Sequence, residues 1–183
     1  MVRGVLLVVI LSCALLGCGP SDAGATAPKA YAHAVCDGLA TWQQGITADS
    51  TRLTQDLQAA AAVSVVRARY ARFYSDAVRR TDTLLVTVRR AGAPKVDHGT
   101  GYARDLTAAL SLARASLQHA KTRFAALSTS NLRAYAAGAA AIRDELGTAF
   151  VGVGTALDRL GRSYPDKTLN KAFAGDPRCT GLT

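Results

Sequence analysis

A chain of 183 residues with a net charge of +9 holds one domain's worth of sequence, long enough to bury a core. Hydrophobic residues make up 49 %, but much of that is alanine and aromatics reach only 6 %, which argues against a β-sheet fold and for helix. Three histidines and a single glutamate leave little material for metal or acid–base chemistry.

Met1-Val2-Arg3 forms a short positive segment, and an apolar stretch follows from Val5 to Leu16. That stretch has the length of a secretory h-region and falls short of the ~20 apolar residues that span a bilayer. It ends Leu15-Leu16-Gly17-Cys18, which resembles a bacterial lipobox: an aliphatic residue, a variable one, a small one, then cysteine. The resemblance implies cleavage after Gly17, diacylglycerol on the Cys18 sulfur, and residence on the outer face of the cell membrane. Ile10-Leu11-Ser12-Cys13 also fits the pattern. Choosing Cys13 would cut the h-region to about eight residues and leave apolar Ala14-Leu15-Leu16 at the head of the mature chain. An uncleaved membrane anchor is the remaining alternative. Residues 1–17 are thus expected to be a signal peptide and residues 18–27, "GPSDAGATA" after the cysteine, a flexible tether. Two acyl chains suffice for stable attachment without a spanning helix.

From residue 28 to residue 183 the apolar positions fall at helical spacing. The first segment places Tyr31, Val35, Leu39, Trp42, Ile46, Leu53 and Leu57 on one stripe, with Pro28 suited to the first turn. Gly45 and the Thr47–Ser50 stretch weaken its middle, which leaves open whether the helix is continuous there. The second stripe is Val66, Tyr70, Phe73, Ala77, Leu84, Leu85 and Val88, stopped by Gly92 and Pro94. The third is Tyr102, Leu106, Leu110, Ala113, Leu117, Ala120, Phe124 and Leu127, with Asp97 or Thr100 as its cap. Ser128 to Asn131 supplies N-cap candidates for the fourth, which carries Leu132, Tyr135, Ala139, Ile142, Leu146, Phe150, Val153, Leu157 and Leu160. The expected fold is all-α, an up-down-up-down four-helix bundle. Leu169 and Phe173 mark a short helix capping it.

Cys36 and Cys179 lie near opposite ends of the folded part, and outside the cytosol such a pair reads as a structural disulfide. In an antiparallel bundle the fourth helix ends near the start of the first, so topology and disulfide predict each other. Closing so long a loop stabilises by roughly 4 to 5 kcal/mol in the chain-entropy model. Free thiols or a metal pair are the alternatives; zinc would need two more ligands, and only His33 is near.

No metal or cofactor is expected. A di-iron bundle needs several Glu and Glu-x-x-His pairs, and this chain has only Glu145, with His33, His98 and His119 standing apart. P-loop, Gly-x-Ser-x-Gly and His-Glu-x-x-His motifs are missing as well, so the chain reads as a non-enzyme. The second helix is crowded with arginine, including Arg69, Arg72, Arg79, Arg80, Arg89 and Arg90. Such a face suits an anionic surface: membrane headgroups, an anionic envelope polymer or an envelope protein. Asp37, Asp49 and Asp56 of the first segment stand ready to balance part of it. Nucleic acid is not expected, for want of an aromatic–basic platform and because of the extracytoplasmic address. Small residues in the fourth segment (Gly138, Ala139, Gly147, Gly152, Gly154) mark close helix packing or room for an apolar ligand. The alternative function is therefore a carrier or sensor with a small apolar ligand between its helices.

Cys18, the small-residue tether, Cys36-Asp37-x-Leu39-x-x-Trp42, "GAPKVDHGTGYARDL" and the terminal "DPRCTGL" together resemble small secreted lipoproteins common in actinobacteria. The resemblance implies a lipid-anchored helical domain and no particular activity.

Overall fold

The computed structural model describes residues 24–60 and 62–180, which are mostly helical. The elements in chain order are β1 (Ala25–Thr26), α1 (Pro28–Gln58), α2 (Val63–Arg90), β2 (Ala93–Pro94), α3 (Gly99–Ala126), α4 (Leu132–Ser163), α5 (Lys167–Ala174) and α6 (Pro177–Thr180). The expected anchor Cys18, its competitor Cys13 and the signal peptide lie outside the described residues.

Helix α1 begins with Pro28 at its first turn, where a missing N–H costs nothing, and runs unbroken for 31 residues. The helix is continuous through residues 45–50, because tertiary packing outweighs the ~1 kcal/mol a mid-helix glycine costs. α2 ends where Gly92 takes a φ of +73°, a left-handed geometry that suits glycine. α3 is not capped by Asp97 or Thr100. Its N-cap is His98 at φ +60° with no side-chain cap hydrogen bond, and Gly99 follows because a Cβ there would collide with the Pro94 carbonyl. α4 starts as its sequence suggests, with the Asn131 side chain accepting from the Ala134 N–H at 3.0 Å. α5 is capped likewise by Asp166, which accepts from the Leu169 N–H at 2.7 Å.

The long helices pack in sequence order: α1 on α2, α2 on α3 and α3 on α4, with α5 and α6 laid against α1. No extended interface joins α1 to α4 among the described residues. The core has two parts. One gathers Tyr31, Val35, Leu84, Leu85, Val88, Leu106, Leu110, Leu160 and Leu169. The other gathers Tyr74, Ala77, Val78, Leu117, Ala120, Phe124, Tyr135 and Ile142. The first three stripes are buried or half-buried throughout. The fourth is thinner: Leu132 and Leu157 are exposed, because among the described residues α4 packs extensively on one long helix, α3.

A strand pair, which helical periodicity gives no reason to expect, joins the chain start to the α2–α3 connection. Ala25 and Thr26 pair in parallel with Ala93 and Pro94, the Lys95 N–H donates to the Thr26 carbonyl at 2.8 Å, and the Thr26 hydroxyl donates to the Ala91 carbonyl at 2.6 Å. The segment read as a tether through Ala27 is therefore docked from Gly24 onward.

Candidate functional site

Two features of this surface bear on function: the closure of the chain's two ends and the disposition of its basic residues. Cys36 sits fully buried in α1, and its sulfur is bonded to that of Cys179 in α6 across 143 residues, with Cα atoms 5.0 Å apart. Around this disulfide, His33 Nδ1 lies 2.9 Å from Asp176 Oδ2, and Arg178 pairs with Asp37. Asp176 is buried, and the Arg178 N–H also donates to it at 2.9 Å. The hydrogen bond with His33 is the main cause holding the Asp176 carboxyl below its ordinary 3.8. His33, three residues from Cys36, is thus a partner for the tail. Among the described residues no cluster of three His, Cys, Asp or Glu side chains is placed to hold a metal ion.

The six arginines singled out on α2 do not form one basic face. Arg80 turns inward, donating from Nε to Asp49 Oδ2 at 2.6 Å and from Nη2 to Asp49 Oδ1 at 3.1 Å. The Asp49 side chain is 4 % exposed, so its charge is met inside the α1–α2 interface. Gly45, itself buried, makes the space: a Cβ there would lie 2.7 Å from Arg80 Cζ and 2.9 Å from Cδ. The guanidinium hydrogen bond is the largest cause lowering the Asp49 pKa, ahead of the opposing effect of burial. Arg69 also faces α1, pairing with Asp56 at 3.4 Å, and Arg79 pairs with Asp76 of its own helix at 2.7 Å. Arg72, Arg89 and Arg90 remain exposed and without an ion-pair partner among the described residues. The cause is simple: α1 brings Asp49 and Asp56 against α2, and α2 carries acids of its own, Asp76 for Arg79 and Asp82 for Arg114 of α3 at 2.7 Å.

Glu145 and His119 do meet, on adjacent turns of α4 and α3, but Glu145 is held by Arg123 Nη1 at 2.6 Å while His119 Nε2 stands 4.0 Å away. Asp97 and His98 share the α2–α3 connection, and both are exposed. Neither place carries a triad.

Aromatic side chains pack between the helices. Tyr70 stacks on Phe124 with ring centroids 4.5 Å apart, Tyr74 lies 5.4 Å from Phe124, and Tyr31 sits edge-on to Tyr102 and Phe173 at 6.1 and 6.3 Å. Burial pushes the Tyr102 hydroxyl up to about 12 and Tyr31 higher still, so both stay neutral. Of the small residues in α4, Gly138 marks a close approach, where a Cβ would meet Leu127 Cδ2 at 2.5 Å. Gly147, Gly152 and Gly154 are exposed and have nothing within 4 Å of such a Cβ, so they mark no close helix packing.

Grooves lie on the outside. One of about 680 Å³ is bordered by Lys29 of α1 and by Thr168, Lys171 and Asp176 of the α5 region. Another of about 820 Å³ runs beside the disulfide between Asp37, Thr41, Gln44 and Arg178. Among the described residues no helix is long and apolar enough to cross a membrane. No protein-family model, curated protein or solved structure matches the chain.

Proposed function

We propose that this chain is a non-enzymatic lipoprotein, anchored through Cys18 on the outer face of the cell membrane, whose helical domain binds a partner or anionic component of the envelope. Its four long helices are read as an up-down-up-down bundle left open between α1 and α4. The contacts that support this run in opposite senses along neighbours, Gly38 against Leu84 and Asp56 against Arg69 in α1 and α2. The single observation carrying the functional reading is the Cys36–Cys179 bond in a chain that begins with a lipobox-like leader. Disulfides persist outside the reducing cytosol, and two independent features then point to one compartment. Surface binding is favoured over carriage of an apolar ligand because aromatic rings fill the space between the helices.

Intact mass of the membrane-extracted protein, with and without reduction before thiol alkylation, tests this. The expected species starts at diacylated Cys18 and gains two alkyl groups only after reduction. A mass starting at Met1 refutes the anchor, and alkylation without reduction refutes the extracytoplasmic disulfide.

A further inference from the structure

The docked chain start decides which end of the domain faces the bilayer. Gly24 is held at the α2–α3 connection by the β1–β2 pairing, and Cys18 is six residues away. Whatever path those residues take, they reach at most about 20 Å. The parts of the molecule around Gly24 are the start of α1, the α2–α3 connection and α5, which packs on α1. Here three lysines, Lys29, Lys167 and Lys171, are exposed and have no ion-pair partner among the described residues. Lys29 and Lys171 border the same groove, and Lys167 precedes Lys171 by one helical turn. The acids beside them are committed elsewhere: Asp176 to His33, and Asp166 to the first turn of α5. Asp97, in the α2–α3 connection, and Asp158, near the end of α4, are exposed acids toward this end of the domain.

From this placement we infer that the α1–α5 end docks on an anionic lipid surface through Lys29, Lys167 and Lys171, so that the domain stands on the membrane in a defined orientation. The inference rests on the proposed Cys18 anchor. The anchor holds the lysines near the headgroups, turning a weak contact into an intramolecular one. Each lysine near an anionic leaflet shifts the docked-to-free ratio by about fivefold. The binding surface for other partners is then the far end, where Arg72 lies, and the outward side of α4.

The test labels the full lipoprotein with a water-soluble amine reagent in vesicles of phosphatidylcholine alone and in vesicles containing phosphatidylglycerol, reading each lysine by peptide mass. Labelling of Lys29, Lys167 and Lys171 should slow several-fold in the anionic vesicles and recover in high salt, as screening demands. Lys121, about 33 Å further along α3 from its start, should label alike in both. Equal rates at the three lysines, on protein whose mass carries the diacylglycerol, would overturn the docking and leave the anchor standing. Slowing of Lys121 as much as the others would overturn the orientation. A mass without the diacyl group overturns anchor and docking together.

Discussion

Replacing Gly45 by alanine sets local propensity against tertiary packing with opposite signs. Read as an isolated helix, the change should stabilise α1 by about 1 kcal/mol, since glycine is the poorer helix former. In the folded protein the new Cβ occupies the slot of the Arg80 guanidinium, 2.7 Å from Cζ. The guanidinium is the end of a flexible side chain and swings aside readily, but doing so strips Asp49 of both hydrogen bonds, at 2.6 and 3.1 Å, while its side chain stays 4 % exposed. Removing one partner of a fully buried pair costs about 3 to 5 kcal/mol. Because Arg80 is itself 34 % exposed and water reaches it, a loss of about 2 to 3 kcal/mol is the better figure here. Net of the propensity gain, Gly45→Ala should destabilise by about 1 to 2 kcal/mol, a fall of roughly 3 to 6 °C in Tm for a domain of this size. Thermal and urea unfolding followed by circular dichroism would read it. In an Asp49→Asn/Arg80→Ala background the slot is empty, and the same Gly45→Ala change should then stabilise by about 1 kcal/mol. A Gly45→Ala protein as stable as the parent in the native background would refute the argument.

The remaining predictions concern the closure, acid stability and the core. Cys36→Ser/Cys179→Ser should lose up to about 4 to 5 kcal/mol by the chain-entropy argument, read as a lower urea midpoint than that of the oxidised parent. An unchanged midpoint would mean that the ion pairs and buried Leu169 hold the tail unaided. Asp49, Asp105 and Asp176 all have carboxyls held below their ordinary 3.8 by hydrogen-bonding partners, foremost Arg80, Arg104 and His33. A folded pKa below the unfolded one gives stability that is complete above the unfolded value and lost as pH falls through the folded one. Asp176→Asn should therefore flatten the decline of Tm below pH 3.8, and a decline as steep as the parent's would count against the His33–Asp176 contact. Phe124→Ala, at a ring 2 % exposed and stacked on Tyr70, should cost about 3 to 5 kcal/mol by urea unfolding. A cost under ~1 kcal/mol would mean that the second core cluster is not packed as described.

Much of this protein is written in local pattern. Apolar residues three and four apart require helices whatever their neighbours, so four long helices, their approximate ends and most buried positions follow from spacing alone. The caps at Pro28 and Asn131 and the stop at Gly92 are equally local, because each acts within one turn of the backbone. The pairing of Cys36 with Cys179 was legible from the two cysteines left after the leader and the expected compartment, and the expected topology agreed with it.

What tertiary structure decided depends on partners remote in sequence. Nothing near Gly45 says that a guanidinium from α2 will need its space, and nothing near Arg80 says that it points inward while Arg72, one face over, stays in water. His33 and Asp176 are 143 residues apart, and no spacing rule joins them. The open side between α1 and α4 is of the same kind. A stripe states how much of a helix is apolar, but exposure of Leu157 depends on which helices arrive to cover it. The α2 arginines likewise read as one basic surface until the carboxylates of α1 are brought alongside. Helical periodicity is set by bonds along the chain, whereas charge pairing and burial are set by distance through space, which only the packed fold determines.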